Sequence, residues 1–157
     1  MQRRILTGLL AVWFVTTVIA FAAKAATTER IVNDPRSGLA LYGFDAVSYF
    51  IDGTARAGNG AYEFRFGGLT WRFRSEANRA AFVDKPQRYV PEFGGYDPIA
   101  VGAGLPVEGN PAFFAISGGK LFLFSREESL ARFLGNPAGM IEAAEHGWPQ
   151  VTRKLVP

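Results

Sequence analysis

The chain has 157 residues, 48% of them apolar and 20% charged, with 18 glycines, 9 prolines, one histidine and no cysteine. That composition suits one globular domain and excludes disulfide scaffolds, thiolate-bound metal, iron–sulfur clusters and cysteine nucleophiles. The formal charge of +3 belongs to Arg3, Arg4 and Lys24, and beyond Ala25 the remaining 14 basic side chains face 14 acidic ones, which removes nucleic acid as a partner.

Met1-Gln2-Arg3-Arg4 precedes an uncharged apolar stretch from Ile5 to Ala23, which ends in the small-x-small sequence Ala23-Lys24-Ala25. These are the three parts of an export signal. Residues 1–25 are read as a signal peptide or an uncleaved membrane anchor, and both place the rest of the chain outside the cytoplasm, periplasmic or secreted. The membrane enters only through this hydrophobic N-terminal helix. Residues 26–38 lack sustained periodicity and read as a linker, with the folded domain spanning 39–157.

Within the domain, Asp45 can cap a short helix running to Phe50, with Tyr49 one turn on. Tyr62, Phe64 and Phe66 alternate with charged residues, Gly67-Gly68 reverses the chain, and Leu69, Trp71 and Phe73 alternate again, so a β-hairpin with one apolar face is predicted. Ser75 and Glu76 start a helix that Asp84-Lys85-Pro86 stops.

Gly94-Gly95-Tyr96-Asp97-Pro98-Ile99 follows. It reads either as a ligand loop, where paired glycines let backbone approach a bound molecule, or as a turn in which Asp97 caps a helix beginning at Pro98. Gly102-Ala103-Gly104 lacks the third glycine of a dinucleotide fingerprint.

The hairpin–helix plan then recurs 51 positions on, with Gly67-Gly68 matching Gly118-Gly119, Trp71 and Phe73 matching Phe122 and Phe124, Phe82 matching Phe133, and Pro86 matching Pro137. Phe113–Ser117 and Lys120–Phe124 form the second hairpin. Ser125 and Glu128 supply a capping box, after which Leu130, Phe133 and Leu134 are expected to face inward. A last helix starts at Asn136-Pro137, buries Met140, Ile141 and Ala144, and ends at Gly147, which puts His146 at its C-terminus. The predicted class is α+β: two β-hairpin–helix pseudo-repeats packed into one small domain, their aromatic faces closing on each other around a single interior.

Gly43-Phe44-Asp45-Ala46-Val47-Ser48-Tyr49-Phe50, Gly68-Leu69-Thr70-Trp71-Arg72-Phe73-Arg74-Ser75 with Phe82, Pro86 and Tyr89, and Gly94-Gly95-Tyr96 together resemble the YHS domain family, in its small exported branch. The resemblance covers 41–148 and implies a compact domain of a kind associated with heavy-metal or copper handling. Where the cysteine-bearing branch of that family has thiols, this chain has Arg74 and Asn78, and where exported relatives have cysteine after Gly-Gly-Tyr it has Asp97.

No Gly-x-Ser-x-Gly elbow accompanies the lone histidine, which argues against a serine hydrolase. The residues favour a non-enzymatic, exported binding module that holds a small ligand, a metal complex or a partner protein between its halves, with Asp45, Tyr49, Tyr96 and Asp97 as the ligand-binding candidates. The alternative is a carboxylate- and tyrosine-based enzyme or enzyme accessory centred on the same four residues, which requires them to converge. If Asp45 and Asp97 met, they could hold a hard cation or share a proton.

Overall fold

Alternating aromatic strands and capped helices generate a mixed α+β architecture, described by a computed structural model over residues 30–155. The leader or anchor expected over residues 1–25 lies outside the described residues. Among the described residues, no helix is long and apolar enough to cross a membrane.

Short strands β1 (Asn33–Asp34) and β2 (Leu39–Ala40) pair antiparallel, and β2 runs parallel to β4 (Leu69–Phe73), which forms a hairpin with β3 (Asn59–Phe66). The sheet order is β1-β2-β4-β3. Strands β5 (Asn110–Ser117) and β6 (Lys120–Phe124) make a separate two-stranded sheet. Both hairpins have the expected turns, with Phe66 opposite Leu69 and Ser117 opposite Lys120. Both also carry an irregularity in the first strand, between Asn59 and Glu63 and between Asn110 and Phe114.

Each hairpin is followed by a nine-residue helix, α2 (Glu76–Asp84) or α5 (Glu127–Gly135), whose phenylalanine covers the aromatic strand face. Phe82 lies 4.8 Å from the ring of Trp71 and 5.1 Å from that of Phe73; Phe133 lies 5.1 Å from Phe122 and 5.0 Å from Phe124. The aromatic faces therefore do not close on each other as expected. Each is sealed by its own helix, and the buried residues form two clusters instead of one.

What joins the halves is the other side of β6. Because strand side chains alternate faces, Phe122 and Phe124 enter the second cluster while Leu121 and Leu123 enter the first, so the strand is buried on both sides. In the first hairpin, Thr70 and Arg72 occupy that opposite face and are only half-buried.

Four expectations need correction. The segment read as a linker is part of the fold from Ile31 onward: Val32 is buried in the second cluster, donates its N–H to the Gly94 carbonyl and accepts from the Leu41 N–H. No capping box forms at α5, where the N-cap is Arg126 and the Ser125 hydroxyl is bound to Asp97 instead. Leu134 is 61% exposed. The last helix, α6 (Pro137–Leu155), continues through Gly147 and Pro149, leaving His146 on an exposed stretch inside it and away from any helix end.

Gly147 serves packing rather than termination. A Cβ there would stand 1.9 Å from the Val101 carbonyl oxygen, so glycine lets α6 lie against α4 (Pro98–Gly102). Asn136 does start the helix as expected, its side-chain oxygen accepting from the Gly139 N–H at 3.2 Å.

Candidate functional site

Each half begins with the same left-handed turn. Leu41, Tyr42 and Gly43 have φ of 50°, 54° and 82°, and Phe93, Gly94 and Gly95 have φ of 51°, 64° and 87°. The following aromatic residue makes a single antiparallel bridge, Phe44 to Ala57 and Tyr96 to Glu108. Gly58 then donates its N–H to the Gly43 carbonyl, and Gly109 to that of Gly95.

The next residue in each half is one of the two candidate carboxylates. Asp45 is buried; its Oδ1 accepts from the Val47 N–H at 2.8 Å, and its Oδ2 accepts from the Arg74 N–H at 2.8 Å and from Asn78 Nδ2 at 2.6 Å. Asp97, equally buried, accepts at Oδ1 from the Ile99 N–H at 2.9 Å and at Oδ2 from the Ser125 N–H and hydroxyl at 2.9 and 2.6 Å. Asp97 thus caps α4, whereas Asp45 does not cap α1 (Ser48–Ile51) as expected: the N-cap there is Val47, without a side-chain bond, and the Asp45 carboxylate closes the turn before it. Each aspartate also ties its turn to the end of its own hairpin. The two carboxylates have no hydrogen-bond partner in common. Among the described residues, no three histidine, aspartate or glutamate side chains gather to hold a metal ion.

Tyr49 is buried in the first cluster, its hydroxyl donating to the Pro111 carbonyl at 3.1 Å and its ring meeting Phe114 edge-on at 4.8 Å. Burial, with a smaller contribution from the Asp45 charge, pushes its phenol well above the ordinary range. It is a bolt between the halves. Tyr96 is buried in the second cluster, its ring 6.2 Å from that of Trp148. Tyr49 and Tyr96 therefore lie in different clusters, and the carboxylates of Asp45 and Asp97 are each engaged by backbone amides.

Sequence reasoning passed over the place where both halves contribute to an open cavity. A cleft of about 420 Å³ is lined by Tyr42 and Phe44 from the first half and by Glu108, Gly109, Asn110 and Pro111 from the second. The Tyr42 hydroxyl donates to Glu108 Oε2 across its mouth. Partial burial and this bond push the Tyr42 phenol up to about 12, with smaller contributions from the nearby Tyr96 and Asp34.

Tyr42 is also held at a cost. A left-handed conformation is unfavourable by roughly 1–2 kcal/mol for a residue with a Cβ, and at the corresponding place the second half has glycine. At Gly94 the reason is steric, since a Cβ would stand 1.7 Å from the Arg30 carbonyl oxygen. The signal legible in the sequence is the paired pattern Tyr42-Gly43-Phe44-Asp45 and Gly94-Gly95-Tyr96-Asp97, in which only the first position changes from a large side chain to none.

A second open cavity, of about 490 Å³, lies beside Asp45 and is lined by Asp52, Arg56, Arg74, Ser75 and Asn78. No protein-family model, curated protein or solved structure matches this chain.

Proposed function

We propose that this chain is an exported, YHS-like, non-enzymatic binding module, built from two repeats of one turn–hairpin–helix unit, that holds a small ligand in the cleft between them. The observation carrying this reading is Tyr42, a bulky residue kept at φ 54° and aimed across the cleft at a carboxylate of the other half. Strain retained in a non-glycine residue is a pointer to function when the same fold accommodates glycine at the equivalent position. Both turns serve equally to place an aspartate; the first in addition carries a phenol at a left-handed position, where the second has Gly94.

The lining sets the ligand class. Glu108 offers a carboxylate, Tyr42 a phenol and Phe44 an aromatic ring, a combination suited to a small organic cation with an apolar body. Against the enzymatic alternative stand the commitments of Asp45 and Asp97, whose oxygens are occupied by buried donors and are not presented to a substrate.

Calorimetric titration with benzylamine, and with benzoate as the anionic counterpart, tests the reading. Benzylamine is expected to saturate and benzoate to give no heat, and Glu108→Gln to weaken the amine at least tenfold. Tyr42→Gly is expected to abolish binding while leaving folding stability within about 1 kcal/mol of the parent, because strain is relieved as a surface hydrogen bond is lost. Equal binding of the two probes, or no binding of either, overturns the proposal.

A further inference from the structure

We infer a second, independent binding site, for a small phosphate-type oxyanion, in the groove formed by Asp52, Arg56, Arg74, Ser75 and Asn78. Its volume of about 490 Å³ accommodates a phosphate group with a small organic substituent.

Charge is the first argument. Arg56 and Arg74 are exposed along the same groove, and among the described residues neither side chain is ion-paired. Nearby arginines are neutralised: Arg72 is paired with Glu63 at 2.8 Å and Arg79 with Glu76 at 2.5 Å. Two guanidinium groups on one concave surface present forked N–H donors matched to tetrahedral oxyanions. Asp52 is the one acidic side chain in the lining, so the groove retains a net positive charge while having an acceptor for a hydroxyl of the ligand or for a singly protonated phosphate.

Rigidity is the second. The groove wall is set from beneath by Asp45, whose buried Oδ2 takes the Arg74 backbone N–H and the Asn78 side-chain amide together. The Asn78 amide and the chain at Arg74 are therefore fixed before a ligand arrives, and preorganised donors avoid part of the ordering cost of binding. Ser75 is likewise held in place, its hydroxyl oxygen accepting from the Asn78 N–H at 3.1 Å.

The other half lacks these groups, which is the third argument. At the positions corresponding to Arg56, Arg74 and Asn78 it has Val107, Ser125 and Ser129, and the Ser125 hydroxyl turns inward to Asp97. The same scaffold thus carries two unpaired guanidinium groups in the first half, while in the second the position of Ser75 is taken by Arg126, which lies 3.8 Å from Glu128. Asp45 acts here as a positioning residue, and the contacts to the ligand come from Arg56, Arg74, Ser75 and Asn78.

Titration calorimetry with inorganic phosphate and with glycerol 3-phosphate, using the full chain at low and physiological salt, decides the matter. Saturable binding of at least one is expected, weakening as salt is raised, since exposed guanidinium groups are screened. A preference for glycerol 3-phosphate assigns the site to phosphomonoesters, and equal binding assigns it to phosphate itself. Arg56→Ala and Arg74→Ala should each weaken binding at least tenfold and Arg74→Lys less; both arginines are exposed, so unchanged thermal melts are expected alongside. Absence of saturable binding at millimolar phosphate, or binding that survives the double alanine variant, overturns the inference. Glu108→Gln should leave phosphate binding intact, so failure here and failure of the amine site remain distinguishable.

Discussion

The two halves share a left-handed turn, a buried aspartate, a bulged hairpin and a helix closed over aromatic rings, yet they use these parts differently. In the first half the turn carries Tyr42 out to a cleft, and the aspartate steadies a groove with two free guanidinium groups. In the second, the turn carries Gly94 in tight contact with the chain at Arg30, the aspartate is closed off by a serine, and the nineteen-residue helix α6 packs over the cluster. The first half thus exposes more polar and charged side chains around its turn and helix start, and the second encloses its own more fully, although Glu108 to Pro111 of the second half also line the cleft. The difference lies in a few side chains placed on matching backbone, as expected when function is grafted onto a fold already made stable by its core.

The sharpest way to break this comparison is at the aromatic cores. Phe82 is surrounded by the rings of Phe64, Phe66, Trp71, Phe73 and Tyr89, whereas Phe133 meets those of Phe122 and Phe124. Phe82→Ala should cost about 5 kcal/mol and Phe133→Ala about 3 kcal/mol in urea denaturation. A larger loss at Phe133 would show that the second cluster, not the first, anchors the fold.

Next come the two aspartates. Replacing either with alanine strands three hydrogen-bond donors, so Asp45→Ala and Asp97→Ala should each cost about 3 kcal/mol by the same measurement. If one is tolerated at below about 1 kcal/mol, its carboxylate is not the structural pin described here.

The turns give a smaller and more pointed contrast. Gly94→Ala forces a Cβ against the Arg30 carbonyl and should destabilise by about 2–3 kcal/mol, whereas Tyr42→Gly should be close to neutral. Equal costs would remove the claim that Tyr42 is retained for a reason other than folding.

The smallest effect concerns the bolt between the halves. Tyr49→Phe leaves the Pro111 carbonyl without its donor and should cost about 1 kcal/mol. It also alters the alkaline limb. Both Tyr42 and Tyr49 hold their protons more tightly when folded, Tyr42 up to about 12 against an ordinary value of 10.0, so their contribution is intact below pH 10 and is lost as pH rises beyond it. Denaturation midpoints between pH 9 and 11 should fall less steeply in Tyr49→Phe than in the parent, and an unchanged slope would contradict the burial assigned to that phenol.

Much of this architecture was legible locally. Period-two aromatics around Gly67-Gly68 and Gly118-Gly119 specified both hairpins, and Ser75, Asp97 and Asn136 cap the helices they precede, because strand alternation and capping involve residues only a few positions apart. Ser125 misled for an instructive reason. Its local sequence is a good capping box, but Asp97, far back in the chain, offers a buried carboxylate that accepts from both the Ser125 hydroxyl and its N–H, and the helix starts one residue later with Arg126 as N-cap. Gly147 misled similarly, since a helix stop and a helix–helix contact both call for a residue without a side chain.

The candidate site was legible only in part. The sequence singled out Asp45 and Asp97 as unusual, and in the structure both are buried and bound to backbone amides of their own halves. Tyr42 is marked only by its pairing with Gly94 in the two related turn sequences, and Glu108, Arg56 and Arg74 carry no local signature, because an exposed side chain on a turn or strand edge becomes a site only through what folding sets beside it.

By itself, the order of residues determined the elements: apolar spacing selects strand or helix, and glycine, proline and capping side chains mark where each ends. Only the tertiary structure decided that there are two clusters rather than one, that residues near Val32 belong to the domain, and that Tyr42 reaches Glu108. Those outcomes depend on contacts between residues distant in the chain, where burial and hydrogen-bond competition act between segments whose separate patterns hold no record of each other.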